Sequence, residues 1–353
     1  MFRFKIGGAD RALALVALFS LFGAASADAA NIPPGRPSVF SSATARVSGS
    51  PPPSSSSSAP SQAAAAGYKT ETFSTVSGFS SKTVDMRLTN ASGFQWYFFN
   101  FFGYQTTSAP ISFNSDGSIN IAEVAGAANS NIASAVYIPA APYYRGTAFG
   151  GGGYFEATLS FNSSSVNLVG GWPAWWTMSI EHLAGLAGEQ WPGQASGYDH
   201  FIEPDIFEAD TQWAGANTYG GDAHDWYGQW GAATCSSYCD VSISNLSGNA
   251  FVRTVPTSTN FSQYHKYGLL WIPATSTRSG SLTYYFDGVQ MGPTTSYSQY
   301  SSQSPVPTTS TPWTFGIVDK QHLVLILGTG ASTPMRVQSV TVWQASAVNN
   351  MHN

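Results

Sequence analysis

FEATLSF, residues 155 to 161, alternates apolar and polar side chains without a break. Residues two apart on a β-strand share a face, so the pattern predicts a strand with one buried side. Phe155, Ala157, Leu159 and Phe161 fall on that side, and the residues between them fall on the other. The stretch therefore predicts a half-buried strand and favours a β-rich fold.

The sequence around this strand agrees with it. SLTYYFDGVQM, residues 281 to 291, runs into Asp287-Gly288, which is a strong hairpin turn signal. VLILG, residues 324 to 328, suits a strand that is buried on both faces. The chain is rich in Ser, Thr, Gly and aromatic residues, and neither a sustained helical period nor an internal repeat is present. We therefore expect a single all-β sandwich of many strands.

The first 66 residues do not resemble a packed domain. Arg3, Lys5 and Arg11 precede the apolar run LALVALFSLFGAA, which ends in small residues, and this layout predicts a signal peptide over residues 1–29. An uncleaved membrane anchor is the alternative, although the run is short of the ~20 residues that span a bilayer. Residues 30–66, rich in Pro, Ser and Ala, are expected to be a linker, with the folded domain at 67–353. The expected location is extracellular or periplasmic.

Charged residues make up only 9% of the 353 residues, and the net charge is -5. Nucleic acids and anionic membranes both demand clustered Lys and Arg, so neither is expected as a partner. Cys235 and Cys239 would suit an exported protein as a small disulfide. Free thiols, or half of a metal site, are the alternatives, but no second cysteine pair completes a zinc pattern.

Against this background HFIEPDIFEAD, residues 200 to 210, is unusual because it contains four carboxylates. In a regular strand Glu203 and Asp205 would share a face and Glu208 would project into the apolar layer, where an unpaired charge is very costly. A β-bulge around Ile206 or Phe207 would return Glu208 to the first face. The sequence therefore predicts a bulged strand with three carboxylates in a row.

Such a row suits glycoside hydrolysis, in which one carboxyl protonates the leaving oxygen and another attacks or activates water. The spacing alone leaves two alternatives open. The row could bind calcium through several oxygen ligands, or it could be a solvated strand edge.

Six segments, in order, resemble glycoside hydrolase family 16 and in particular its laminarinase-like branch. EPDIFE looks like the E-x-D-x-x-E signature of that branch, and GGWPAWWTMS, residues 170 to 179, resembles the G-x-W-P-A-F-W segment. The other four are YHKYGLLWIP from Tyr264, YYFDGVQM from Tyr284, HLVLILGTG from His322 and MRVQSVTVWQ from Met335. The resemblance extends from about Gly152 to Gln344 and implies a concanavalin-like jelly roll with a concave substrate cleft.

Carried over onto matching positions, the resemblance implies a retaining mechanism with Glu203 as nucleophile, Asp205 as its supporting carboxylate and Glu208 as general acid/base. Sugar rings present apolar faces that stack on flat side chains, which makes nearby tryptophans candidates for substrate contact. The candidates are Trp176 and Trp191, from the resemblance, and His224 and Trp226 in GGDAHDWYGQW. A structural role for His224 is the alternative.

The sequence thus predicts a secreted, monomeric endo-β-glycosidase acting on a β-1,3- or mixed-linkage glucan, with no cofactor required and a structural calcium possible. The alternatives are a galactan hydrolase of the agar or carrageenan type, a glucan transglycosylase, and a carbohydrate-binding or cell-wall protein without turnover. Two departures from the family pattern bear on the cleft. Pro204 stands in a strand that should be central, where it removes a ladder donor, and residues 193–202 separate Trp191-Pro192 from Glu203.

Overall fold

The protein contains two antiparallel β-sheets packed face to face. The computed structural model describes residues 58–75, 77–99, 107–122, 130–163, 173–186, 197–209, 217–231, 235, 238–247, 251–299, 315–329 and 334–353. These residues form one compact unit that begins at Ser58.

The first sheet has nine strands within the described residues. They are β1 (Thr70–Ser74), β3 (Ile111–Phe113), β4 (Ile119–Ile121), β8 (Gly153–Ser160), β14 (His265–Ile272), β15 (Gly280–Phe286), β16 (Val289–Gln290), β17 (Thr295–Tyr297) and β19 (Met335–Gln344). Their order is β16-β15-β14-β8-β19-β4-β3, with β1 paired to β19 and β17 paired to β15.

The second sheet carries the carboxylate row and has eight strands in the described part of the chain. They are β2 (Tyr97–Phe98), β5 (Ser130–Ala133), β9 (Ala174–Ser179), β10 (Asp199–Glu208), β11 (Thr218–Gly228), β12 (Cys239–Ser242), β13 (Val252–Thr254) and β18 (Leu323–Thr329). Their order is β12-β11-β10-β9-β18-β5-β2, with β13 paired to β11.

The remaining elements are short. A third, small sheet contains β6 (Ala135–Tyr137), β7 (Tyr144–Ala148) and β20 (Met351–His352). The helices are α1 (Ser61–Ala65), α2 (Ile180–Leu183), α3 (Ile243–Ser247) and a 3₁₀ helix at Gly316–Lys320. Judged over the described residues, these helices are too short or too polar to cross a membrane.

The two large sheets enclose the main hydrophobic core, and the predicted all-β jelly-roll sandwich is confirmed. Neighbouring strands such as β8 and β14, or β9 and β18, are distant in sequence, so the chain crosses repeatedly between sheets. Phe155, Tyr267 and Val342 of the first sheet pack against Trp175 and Leu325 of the second. Sandwiches of this kind bury alternate residues of both inner faces.

The strands that the sequence patterns predicted form as expected. In β8, Phe155, Ala157 and Leu159 all face the core between the sheets. In β18 the apolar run is buried on both faces, since alternate residues join two different hydrophobic clusters. The hairpin between β15 and β16 turns at Asp287 and Gly288, whose φ values of 48° and 79° are those that a tight hairpin turn requires.

The outer face of the second sheet differs between its two halves. On the covered half, formed by β5, β18 and β9, the outward side chains are apolar and pack beneath the third sheet and α2. The open half, formed by β10, β11 and β12, carries most of the polar side chains of this sheet. The outward-facing apolar residues of the covered half are Ala133, Ala174, Trp176, Met178, Val324 and Ile326.

The predicted end of the linker at residue 66 is wrong, because the compact unit already includes residues 58–66. Helix α1 follows Pro60 and buries Ala63 completely against Tyr154 and Trp343 of the first sheet. The Gln62 side-chain amide donates a hydrogen bond of 2.7 Å to the Tyr154 hydroxyl. A small Ala-rich turn can pack on this face without a bulky side chain, which is why composition alone suggested a linker. The predicted signal peptide and residues 30–57 lie outside the described residues.

Candidate active site

Strand β10 contains the β-bulge that the sequence predicted. Against β11, Asp205 pairs with Asp222 and Glu208 with Gly220, so three steps on β10 oppose two on β11. Against β9, Asp205 pairs with Trp176 and Phe207 with Trp175, which places the extra residue between Asp205 and Phe207. One inserted residue reverses the facing of every later side chain in the strand.

The bulge puts two consecutive apolar side chains into the core. Ile206 and Phe207 are 1% and 0% exposed and both join the cluster between the sheets. Glu203, Asp205 and Glu208 therefore share the outer face of the sheet, with Glu203 and Glu208 partly exposed and Asp205 buried. A regular strand would have placed Glu208 in the apolar core, where a charge is not tolerated without a partner.

Pro204 fits the strand because no ladder bond is needed at its position. The backbone N and O of one strand residue point to the same side, and the Pro204 carbonyl points to β9, where it accepts a hydrogen bond of 3.1 Å from the Thr177 hydroxyl. The β9 ladder begins only at Asp205. Before that point, the Gln321 side chain satisfies Ile202 N and His200 O at 3.2 and 2.8 Å. The missing proline donor therefore leaves the pairing with β11 intact.

Strands β11 and β12 add further polar side chains to the same face. Asp222, His224 and Trp226 alternate along β11, and His224 and Asp222 stand opposite Glu203 and Asp205. Asp240 of β12 pairs with Trp226. The His224 imidazole thus lies among the carboxylates of Glu203, Asp205, Asp222 and Asp240, and Glu208 lies farther along β10.

His224 is the centre of this cluster. Its Nδ1 lies 3.0 Å from Asp240 Oδ2, and its Nε2 lies 3.5 Å from Asp205 Oδ2 and 3.8 Å from Asp222 Oδ2. Burial alone would lower the pKa of His224, but the three aspartates outweigh it and hold the pKa well above its usual value. His224 is therefore a cation at neutral pH and offsets part of the negative charge.

Glu203 is held by a tryptophan. The Trp226 Nε1–H donates a hydrogen bond of 2.6 Å to Glu203 Oε2, while its ring stacks on His224 at a centroid distance of 5.3 Å. Burial raises the pKa of Glu203 to about 7, and the charge of His224 and the bond from Trp226 lower it. Both partners favour the ionised carboxylate, which is the form that a nucleophile needs.

Asp205 lies between the other two carboxylates of the row and is more deeply buried than they are. Burial, followed by the charges of Glu208 and Glu203, raises the pKa of Asp205 well above its usual value. A raised pKa favours the protonated form of Asp205. Protonation of one member of the carboxylate row lowers the repulsion among the three.

Asp222 and Asp240 are site residues that were not predicted from the sequence. Asp222 Oδ1 accepts hydrogen bonds of 2.7 and 2.9 Å from the backbone N–H groups of Ala223 and Ile243, the latter at the start of α3. The alternation of Asp222 with His224 along one strand was a signal that could have identified it. Asp240 had no such signal, because its position depends on the pairing of β12 with β11.

The remaining predicted site residues occupy different surroundings. Trp176 stands next to Asp205 in the neighbouring strand, but it is only 7% exposed and contacts Phe99 edge to face at 5.6 Å. It offers little surface to a sugar. Trp191 lies outside the described residues. Cys235 and Cys239 are joined by a disulfide, with 5.3 Å between their Cα atoms.

The described residues contain no group of three or more His, Cys, Asp or Glu side chains arranged to hold a metal ion. The cluster around His224 does not suit calcium, since a cationic imidazole lies among the carboxylates. A structural calcium elsewhere stays a prediction.

Several solved structures are similar to this one. An endo-1,3-β-glucanase from Streptomyces sioyaensis matches with a TM-score of 0.46 and 16% identity, covering 86% of this chain and all of that one. A family 16 endo-glucanase from Bacteroides ovatus has a TM-score of 0.33 and 15% identity, covering 67% and 86%. Peanut lectin has a TM-score of 0.26 and 13% identity, covering 70% and 96%. Glycoside hydrolase family 16 is thus among the families with similar solved structures, as the sequence segments predicted.

No protein-family model and no curated protein matches the chain. The pairing of the strands by itself identifies the jelly-roll sandwich.

Proposed function

We propose that this protein is a retaining, endo-acting β-glycosidase that hydrolyses a β-1,3- or mixed-linkage β-1,3(4)-glucan. The bulge of β10 is the observation that carries the proposal. It brings Glu203 and Glu208 to one face with Asp205 between them, and two carboxyls on one face can flank a single glycosidic bond.

In the proposed reaction Glu203 attacks the anomeric carbon as Glu208 gives its proton to the leaving glycosidic oxygen. The bond from the anomeric carbon to that oxygen breaks, and a covalent glycosyl-enzyme forms on Glu203. Glu208, now a carboxylate, takes a proton from water, whose oxygen attacks the anomeric carbon and releases Glu203. Two inversions give net retention of configuration.

The surroundings of Glu203 suit this role. Trp226 and the His224 cation stabilise its ionised form, and the raised pKa of Asp205 favours a neutral group beside it. Burial makes the carboxylate less well solvated and therefore a stronger nucleophile once it is ionised. Glu203 thus combines ionisation near neutral pH with a fixed orientation.

The charge of the site favours a neutral polysaccharide. Strands β10, β11 and β12 contain seven Asp and Glu residues and no Lys or Arg, and the whole chain has only 14 Lys and Arg residues. A sulfated galactan would bring anionic groups that call for Arg or Lys contacts. We propose export to the extracellular or periplasmic space, in keeping with the signal peptide predicted over residues 1–29, and action as a monomer without a cofactor.

Reducing-end release from a panel of β-glucans and galactans tests the proposal, with proton NMR of the first product to read its anomeric configuration. We expect release of β-configured product from a β-1,3- or mixed-linkage glucan. Release from agar alone would establish a galactanase, and longer products would establish a transglycosylase. Binding to a glucan without any release would establish a binding protein and overturn the proposal.

A further inference from the structure

An exposed tryptophan lies at the end of an aromatic series that starts at the nucleophile. Trp230 is 70% exposed, whereas most large apolar side chains of the described residues are buried. It lies two residues after the end of β11, the strand that supplies His224 and Trp226. The site described above does not use it.

Ring contacts connect Trp230 to that site. Trp230 meets Tyr238 edge to face with 5.3 Å between centroids, and Tyr238 meets Phe201 edge to face at 5.2 Å. Phe201 in turn stacks on Trp226 at 6.4 Å, and Trp226 binds Glu203. The exposed ring is therefore on the same side of the sheet as the nucleophile, a few ring widths away.

The surroundings of Tyr238 are well fixed. Its hydroxyl donates a hydrogen bond to Asp199 Oδ2 at the start of β10. The next residue, Cys239, pairs with Tyr227 of β11 and is bridged to Cys235. A flat ring that rests on a pre-ordered support loses little entropy when a ligand stacks on it.

We propose that Trp230, supported by Tyr238, forms a remote subsite that stacks on a sugar ring of the same polysaccharide chain, away from the bond that is cleaved. This inference rests on the proposed function, because it takes the ligand to be the substrate. A sugar ring presents apolar C–H groups to an aromatic face, and a neutral polysaccharide is long enough to contact Trp230 and Glu203 together. Remote contacts of this kind strengthen substrate binding without taking part in bond cleavage.

Trp230→Ala in the full-length chain should raise KM on the polysaccharide about three- to tenfold and leave kcat unchanged, as expected for the loss of one aromatic contact. On an aryl disaccharide, which is too short to reach Trp230, both constants should match those of the parent. Trp230→Phe should recover most of the polysaccharide KM. Val348→Ala is the matched control, because Val348 is 82% exposed and belongs to the C-terminal segment.

A second measurement does not depend on turnover. In gels that contain β-1,3-glucan or mixed-linkage glucan, Glu203→Gln should be retarded, and addition of Trp230→Ala should remove most of the retardation. If the parent protein cleaved none of the polysaccharides, the proposed function would be refuted but the subsite would not. The gel assay would still test Trp230, because it measures binding. Equal retardation with and without Trp230, or no retardation of either protein, would overturn the subsite. A dimer that Trp230→Ala converts to monomer would assign the residue to an interface between copies and also overturn it.

Discussion

The covered half and the open half of the second sheet are built from neighbouring strands of one sheet but differ in chemistry. On the covered half, Met178 and Val324 point outward and are buried under the third sheet and α2. On the open half, the corresponding outward positions hold Glu203, Asp205 and His224. The inner faces of both halves pack in the same core. The difference is therefore confined to the outer face.

The boundary between the halves lies between β9 and β10, where Trp176 pairs with Asp205. On one side of this boundary the buried side chains are apolar, and their packing stabilises the fold. On the other side burial raises the pKa of carboxyl groups, which costs stability and prepares a site for chemistry. Each of the following predictions tests whether stability and activity divide in this way.

The largest effect is expected at Glu203, the proposed nucleophile. Glu203→Ala should lower kcat about 10³-fold or more, because the first chemical step then has no attacking group. Azide should fill the vacated space and restore turnover with formation of the inverted, α-configured glycosyl azide. In Glu208→Ala with an activated substrate, azide should instead intercept the glycosyl-enzyme and give the β-azide. NMR of the products distinguishes the two outcomes, and full activity of Glu203→Ala would refute the assignment.

Glu203 should also lower the stability of the folded protein when it is ionised. The folded state holds the proton of Glu203 up to about pH 7, above the usual value of 4.5, so its ionisation at higher pH destabilises the fold. Glu203→Gln should therefore increase the free energy of unfolding by about 1 to 3 kcal/mol above pH 7 and by less below pH 5. Urea unfolding at pH 5 and pH 8 measures this difference. An equal change at both pH values would contradict it.

Trp176, at the boundary, should contribute to stability and contribute little to substrate binding. Trp176→Ala should lower the free energy of unfolding by about 3 to 5 kcal/mol, since it removes a large buried ring and leaves a cavity beside Phe99. KM for the polysaccharide should change little at a temperature where the variant is folded. Trp226→Ala on the open half is the matched comparison, with a smaller loss of stability and a larger loss of kcat/KM. A large KM increase in Trp176→Ala alone would place a sugar contact on the covered half.

The sequence predicted the bulge of β10 because its pattern left one physical solution. Ile206 and Phe207 are adjacent and both apolar, and a carboxylate follows them, so only an extra residue keeps all three on suitable faces. Alternation in the same way identified β8 and β18. These signals are local, and each can be evaluated without knowing which strand lies beside which.

What the sequence could not supply depends on pairing between distant segments. Asp240 enters the site only because β12 pairs with β11, and Gln321 supports β10 from 119 residues away. The burial of Trp176 follows from a third layer of short strands with no strong pattern. Composition likewise did not predict α1, because a run of alanines can occur in a packed helix as well as in an unfolded linker.

The smallest effect is expected from the hydrogen bond between Trp226 and Glu203. Trp226→Phe keeps a ring against His224 but removes the Nε1–H that donates to Glu203 Oε2 at 2.6 Å. The bond favours the ionised carboxylate, so its loss should raise the pKa of Glu203 further above about 7. Because only ionised Glu203 attacks, the acidic limb of the pH profile of kcat/KM should move upward, by about one pH unit for a bond to a charged group.

The matched control for this change is Tyr227→Phe, which alters the next residue of β11 on the opposite face of the strand. Its acidic limb should coincide with that of the parent. At pH values well above the shifted limb, where Glu203 is ionised in both proteins, Trp226→Phe should approach the activity of the parent, since the ring contact is kept. An equal loss of activity at every pH would mean that Trp226 acts by stacking on the substrate and not through the protonation of Glu203. A limb that moves downward would mean that the neutral acid, and not the carboxylate, is the form that Trp226 stabilises.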